Sequence, residues 1–121
     1  MWFSNTSKEK NEIWSDLTSS DQLKEIIERS HQKPQALFKH STRCNISSMA
    51  KGRMDRGWDF ENNDVDLYYL DLLKYRSVSN DIADSLQVQH ESPQLIIIKH
   101  GKVVYHASHG DIDPKLLKGL L

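Results

Sequence analysis

The chain has 121 residues, a formal charge of −1, 37% hydrophobic and 27% charged residues, which describes one soluble globular domain spanning residues 1–121. Without a basic excess it lacks the electrostatic footprint of a nucleic-acid or anionic-membrane binder, and no apolar run reaches the roughly 20 residues that cross a bilayer. No secretory leader opens the chain and it carries a single cysteine, so the expected location is cytoplasmic, where a lone thiol stays reduced unless it has redox work.

In chain order, Met1 to Glu12 is polar apart from Trp2 and Phe3 and is expected to cap or fray over the surface. Ile13 to Leu17 is short enough for an edge strand. Thr18, Ser19 and Ser20 ahead of Asp21 and Gln22 form a helix start of the capping-box kind, and Leu23, Ile26 and Ile27 give that helix an apolar stripe through about Ser30. Lys33-Pro34 ends it.

The stretch QALFKHSTRCNISSMAKGRMDRGWDF follows. It reads as a buried strand (Ala36 to Lys39), a polar turn (His40 to Arg43), and a helix opened by Cys44 and closing near Gly57 to Asn63. On that helix Ile46, Met49, Ala50, Met54 and Trp58 recur at steps of three and four, so Met49 and Met54 are expected in the core. Lys51, Arg53 and Arg56 fall elsewhere and read as a solvated basic face.

Val65 to Leu72 alternates Val65, Leu67 and Tyr69 against Asp66 and Tyr68. It then runs into Leu70, Leu72 and Leu73, a strand covered on both faces at its far end. Ser77 precedes a helix bearing Val78, Ile82, Ala83 and Leu86 on one side. Gln87 to Gln94 is a loop containing Ser92-Pro93. Leu95 to Ile98 is a β-branched strand, His100-Gly101 a tight turn, and Val103 to Ala107 its hairpin partner. Asp113-Pro114 opens a last helix with Leu116, Leu117, Leu120 and Leu121 for the core. Alternating strands and helices imply an α/β fold with a central mixed β-sheet flanked by helices on both faces.

Cys44 carries the chemistry. At a helix N-terminus, unpaired N–H groups and the positive end of the dipole favour the anionic thiolate, and Arg43 and Lys39 are cations close by in sequence. Ser47 lies where its hydroxyl can donate back to the sulfur, as groups at N-cap and N3 address one another. The motif is C-x-x-S, so any disulfide of Cys44 joins another molecule. Taken alone, a single cysteine also fits a small buried hydrophobe, and Ser47 fits a polar residue of a first helical turn. Pro93 fits a strand-entry residue, where a cis bond is tolerated. His40 and Cys44 are too few for a metal site, and none of the six histidines is assigned to a metal.

A strand, then a C-x-x-[C/S] cysteine opening a helix, then a β-α unit, then x-Pro before a β-hairpin resembles the thioredoxin-like fold over nearly the whole chain. In that fold the proline is cis and faces the cysteine, and the residue before it offers its backbone to substrate; Pro93 and Ser92 match these positions. Within the superfamily, STRCNISSMA and ESPQLIIIKHGK are similar to the monothiol bacilliredoxin family of the YtxJ type. The resemblance implies a thiol-disulfide oxidoreductase removing bacillithiol from S-bacillithiolated cytoplasmic proteins. Cys44 would be the nucleophile, Ser47 the replacement for a resolving cysteine, and Arg43, Asn45, Ser92 and Pro93 the substrate-binding residues. Bacillithiol would be a co-substrate, with no bound cofactor or metal; the partners would be bacillithiolated proteins and the low-molecular-weight thiol. Asn45 departs from the family's usual proline. Two other functions remain open: a non-catalytic thioredoxin-fold protein-binding module, and a cluster binder of the monothiol glutaredoxin kind.

Overall fold

The computed structural model describes residues 13–61 and 63–121, so the expectations for Met1 to Glu12 lie outside the described residues. The elements are β1 (Ser15–Asp16), α1 (Ser20–Arg29), β2 (Gln35–His40), α2 (Asn45–Gly57), β3 (Asp66–Asp71), α3 (Arg76–Leu86), β4 (Gln94–Lys99) and β5 (Lys102–Ser108), followed by two 3-10 turns, His109–Asp111 and Pro114–Leu117. The sheet order is β1-β3-β2-β4-β5. β1, β3 and β2 run parallel, and β4 and β5 are antiparallel. This is the mixed α/β sheet expected from the sequence.

Strand periodicity sorts the sheet residues into two cores. Leu37, Tyr68, Leu70, Ile96 and Ile98 join Leu23, Ile26, Val78 and Ile82 of α1 and α3 on one face. Ala36, Phe38, Leu67, Leu95 and Ile97 join Ala50 and Met54 of α2, with Ile112 and Leu117 of the tail, on the other. β3 is thus covered on both faces along its length, and at its end Leu73 turns outward, 39% exposed. β5 carries one extra residue opposite Ile97 and Ile98, and Val104 there faces solvent.

Local chemistry sets the joints. Ser19 caps α1 by accepting from the Gln22 N–H, while Gln22 returns its Oε1 to the Thr18 N–H, one residue before the N-cap. The hairpin turn takes positive φ at His100 (54°) and Gly101 (79°), as a type I′ turn requires. It docks on the end of α1, where Ser30 C=O accepts from His100 N–H and Ser30 Oγ from Gly101 N–H. A Cβ at Gly101 would meet the His31 ring at 3.0 Å.

Three expectations need correction. The final segment is not an α-helix but a four-residue 3-10 turn capped by Asp113 Oδ1; Leu117 is buried, whereas Leu116 is 58% exposed. On α2 the buried face is Ala50 and Met54, while Ile46 and Met49 are 54% and 65% exposed, so Met49 is not a core residue. The α2 cations are not simply solvated: Arg53 donates to the carbonyls of Ile112 and His109, fastening the tail to the helix, and Lys51 pairs with Asp55 over the Trp14 and Tyr69 rings.

Candidate active site

Cys44 is the N-cap of α2, with extended backbone angles and its carbonyl accepting from the Ser48 N–H. It is half-buried, so the sulfur is neither sealed in the core nor fully solvated. The turn ahead of it closes by a hydrogen bond from Cys44 N–H to Ser41 C=O at 3.2 Å. Arg43 and Asn45, on either side, are exposed.

Ser47 is fully buried, and its hydroxyl is engaged away from the sulfur. It accepts from the Ser41 N–H at 3.0 Å and lies 2.7 Å from His40 Nδ1, which corrects the expected hydrogen bond to Cys44. His40 itself is 5% exposed. Its ring stacks on Phe38 at 5.9 Å and tilts against Tyr69 at 5.5 Å. Burial first, and then the Lys51 ammonium, hold its pKa below the ordinary histidine value, against weaker opposing effects of Asp71, the Ser47 backbone and Asp55. His40 is therefore neutral at neutral pH. Ser47 Oγ, which accepts from the Ser41 N–H, keeps its own proton available for a neutral His40 Nδ1.

The Ser92-Pro93 peptide is cis, the isomer that the resemblance implied. Pro93 is buried and its carbonyl accepts from the His109 N–H. Antiparallel pairing puts Lys39 opposite Gln94, so the end of β2 leading to Cys44 and the start of β4 carrying Pro93 share one end of the sheet. Among the described residues, Ser92 Oγ is a buried polar atom that meets no hydrogen-bond partner.

Lys39 is placed differently from its sequence neighbours. As the odd residue on β2 it points to the face opposite α2, fully buried, and its Nζ meets His90 Nδ1 at 3.2 Å, with Ser79 Oγ 3.4 Å from the same nitrogen. It is not a cation beside the thiol, as sequence proximity suggested. Burial lowers its pKa to about 8, and burial, Lys39 and Arg76 lower that of His90. The charged lysine thus donates to a neutral imidazole and ties β2 to the loop that presents Ser92 and Pro93. Sequence reading set Lys39 beside the thiol and gave His40 no role; the available signal for both was two polar residues at the end of a buried strand. Among the described residues no group of three or more His, Cys, Asp or Glu is placed to hold a metal ion, and no helix is long and apolar enough to cross a membrane.

Comparison with known proteins agrees with this geometry. A solved structure described as a candidate oxidoreductase with a thioredoxin fold is 33% identical, with a TM-score of 0.77, over 91% of this chain and 95% of that one. Malassezia sympodialis thioredoxin (17% identity, TM-score 0.66, 87% of this chain and 84% of that one) and Fasciola hepatica thioredoxin (15%, 0.65, 87% and 93%) share the fold. The chain is a thiol-disulfide oxidoreductase. Residues 15–117 match the family described as Monothiol bacilliredoxin BrxC, and the chain belongs to the monothiol bacilliredoxin family.

Proposed function

We propose that the chain removes bacillithiol from mixed disulfides on proteins, with Cys44 as nucleophile. The Cys44 thiolate attacks the bacillithiol sulfur of the mixed disulfide, the old S–S bond breaks, and the target leaves as a thiolate that takes a proton from water. Cys44 then carries bacillithiol. A second thiol molecule, as its thiolate, attacks the bacillithiol sulfur of that adduct; a low-molecular-weight disulfide leaves and Cys44 returns as thiolate. Electrons balance, since the second thiol is oxidised as the target is reduced.

The observation that carries this reading is the chain's only cysteine at the head of α2 in a member of this family. Ser47, buried and unable to form a disulfide, leaves the adduct for an external thiol. Arg43 and Asn45, exposed beside the sulfur, and the backbone of Ser92 next to Pro93 are the groups assigned to hold the incoming disulfide.

The test is recovery of free thiol on a bacillithiolated target incubated with the protein and excess bacillithiol. Wild type should restore the target thiol, and Cys44→Ser should leave it blocked. Equal recovery with both would end the proposal, and no recovery with either would favour a protein-binding module.

A further inference from the structure

We propose that His40 is a positioning residue for the Cys44 reaction: its Nδ1 takes up the Ser47 hydroxyl and keeps that hydroxyl from solvating the attacking sulfur. This rests on Cys44 being the nucleophile of the exchange reaction, and not on which thiol it transfers.

Ser47 stands three residues after the N-cap. On a helix, residues three apart are neighbours, and a polar side chain at N3 reaches back to the N-cap. Released from His40, a hydroxyl at that position could turn to the Cys44 sulfur. Instead the oxygen is clamped by the Ser41 N–H and lies 2.7 Å from His40 Nδ1. His40 is in turn fixed between the rings of Phe38 on β2 and Tyr69 on β3. The charged groups around it are Lys51 and Asp55 from α2 and Asp71 from β3. An imidazole so held stands fixed beside the hydroxyl three residues after the cysteine.

The consequence is kinetic. A hydrogen bond to a thiolate raises its population at a given pH but dulls it, because nucleophilicity falls as the thiol becomes more acidic, with a Brønsted slope of about 0.4–0.5. A hydrogen bond donated by Ser47 would therefore lower the nucleophilicity of the Cys44 thiolate.

The test is the pH–rate profile for alkylation of the full chain by iodoacetamide. In His40→Phe, which keeps the stacking and loses the acceptor, the midpoint should move to lower pH and the plateau should fall about threefold for each pH unit moved. His40→Asn, whose Oδ1 replaces Nδ1, should retain the wild-type profile. In a Ser47→Ala background, His40→Phe should change nothing. A His40→Phe profile superimposed on wild type, or the same displacement with Ser47→Ala, would overturn the inference. Should His40→Phe fail to fold, the ring 15N shifts of wild-type His40 decide: protonation at Nε2 with Nδ1 as acceptor supports it, and protonation at Nδ1 overturns it. Displacement as stated, in a protein that takes up no thiol from a mixed disulfide, would uphold the role of His40 while removing the exchange reading.

Discussion

The last two residues of β2 face opposite ways, and each is fastened to a different loop. His40 points toward α2 and holds Ser47 in the first turn after Cys44; Lys39 points toward α3 and holds His90 in the loop before Pro93. Both are buried polar groups, yet their energetics differ. A neutral imidazole stacked on aromatic rings is an inexpensive thing to bury. An ammonium that is buried and donates to a neutral ring is a costly one, in keeping with its pKa lowered to about 8. A single strand end therefore ties together the nucleophile's loop and the cis-proline's loop, with stability given up on one side only.

Substitutions sharpen this contrast. The largest expected effect is from His40→Ala, which opens a cavity between Phe38 and Tyr69; it should destabilise by about 3 kcal/mol in urea unfolding. Lys39→Met should act in the opposite direction. With the folded value lowered from 10.5 to about 8, burial of the charge costs on the order of 3 kcal/mol at neutral pH. Allowing for the lost hydrogen bond, Lys39→Met should be about 2 kcal/mol more stable at pH 7. Between pH 8 and 10.5 the unfolded chain keeps a proton that folded Lys39 has released. Wild-type stability should therefore gain on the variant as pH rises through that window, and a pH-independent difference would contradict the assignment.

A smaller effect is expected in acid. His40 and His90 both have lowered values, so the unfolded chain protonates first and stability should fall as pH drops below about 6.5. His40→Asn should flatten part of that slope, measured by thermal unfolding across the range. The smallest effect belongs to the exposed front of α2: Ile46→Thr with Met49→Lys should stay within about 0.5 kcal/mol of wild type, since neither side chain joins either core.

Much of this was legible in the sequence because it rests on local chemistry. Ser19 and Gln22 announce α1, His100-Gly101 the hairpin turn, and the β-branched run Leu95 to Ile98 a strand. What failed depends on what covers each residue. Helical spacing put Ile46 and Met49 on the apolar face, but the tail anchored by Arg53 covers only the later turns of α2. Leu116 to Leu121 looked like a helix; 3-10 geometry, with Gly119 at φ 94°, stops it after one turn. Lys39 read as a neighbour of Cys44 because sequence distance ignores strand alternation. Ser47 read as a partner of the sulfur because the competing acceptor, His40, reaches it only once β2 and α2 pack.

The most direct test of the central claim is the intact mass of the protein after exposure to a bacillithiolated target, with Cys44→Ala alongside. The account predicts a single bacillithiol adduct on wild type, release of the target thiol, and no adduct on the variant. An unmodified wild-type mass with the target still blocked, or an adduct that persists on Cys44→Ala, would contradict it.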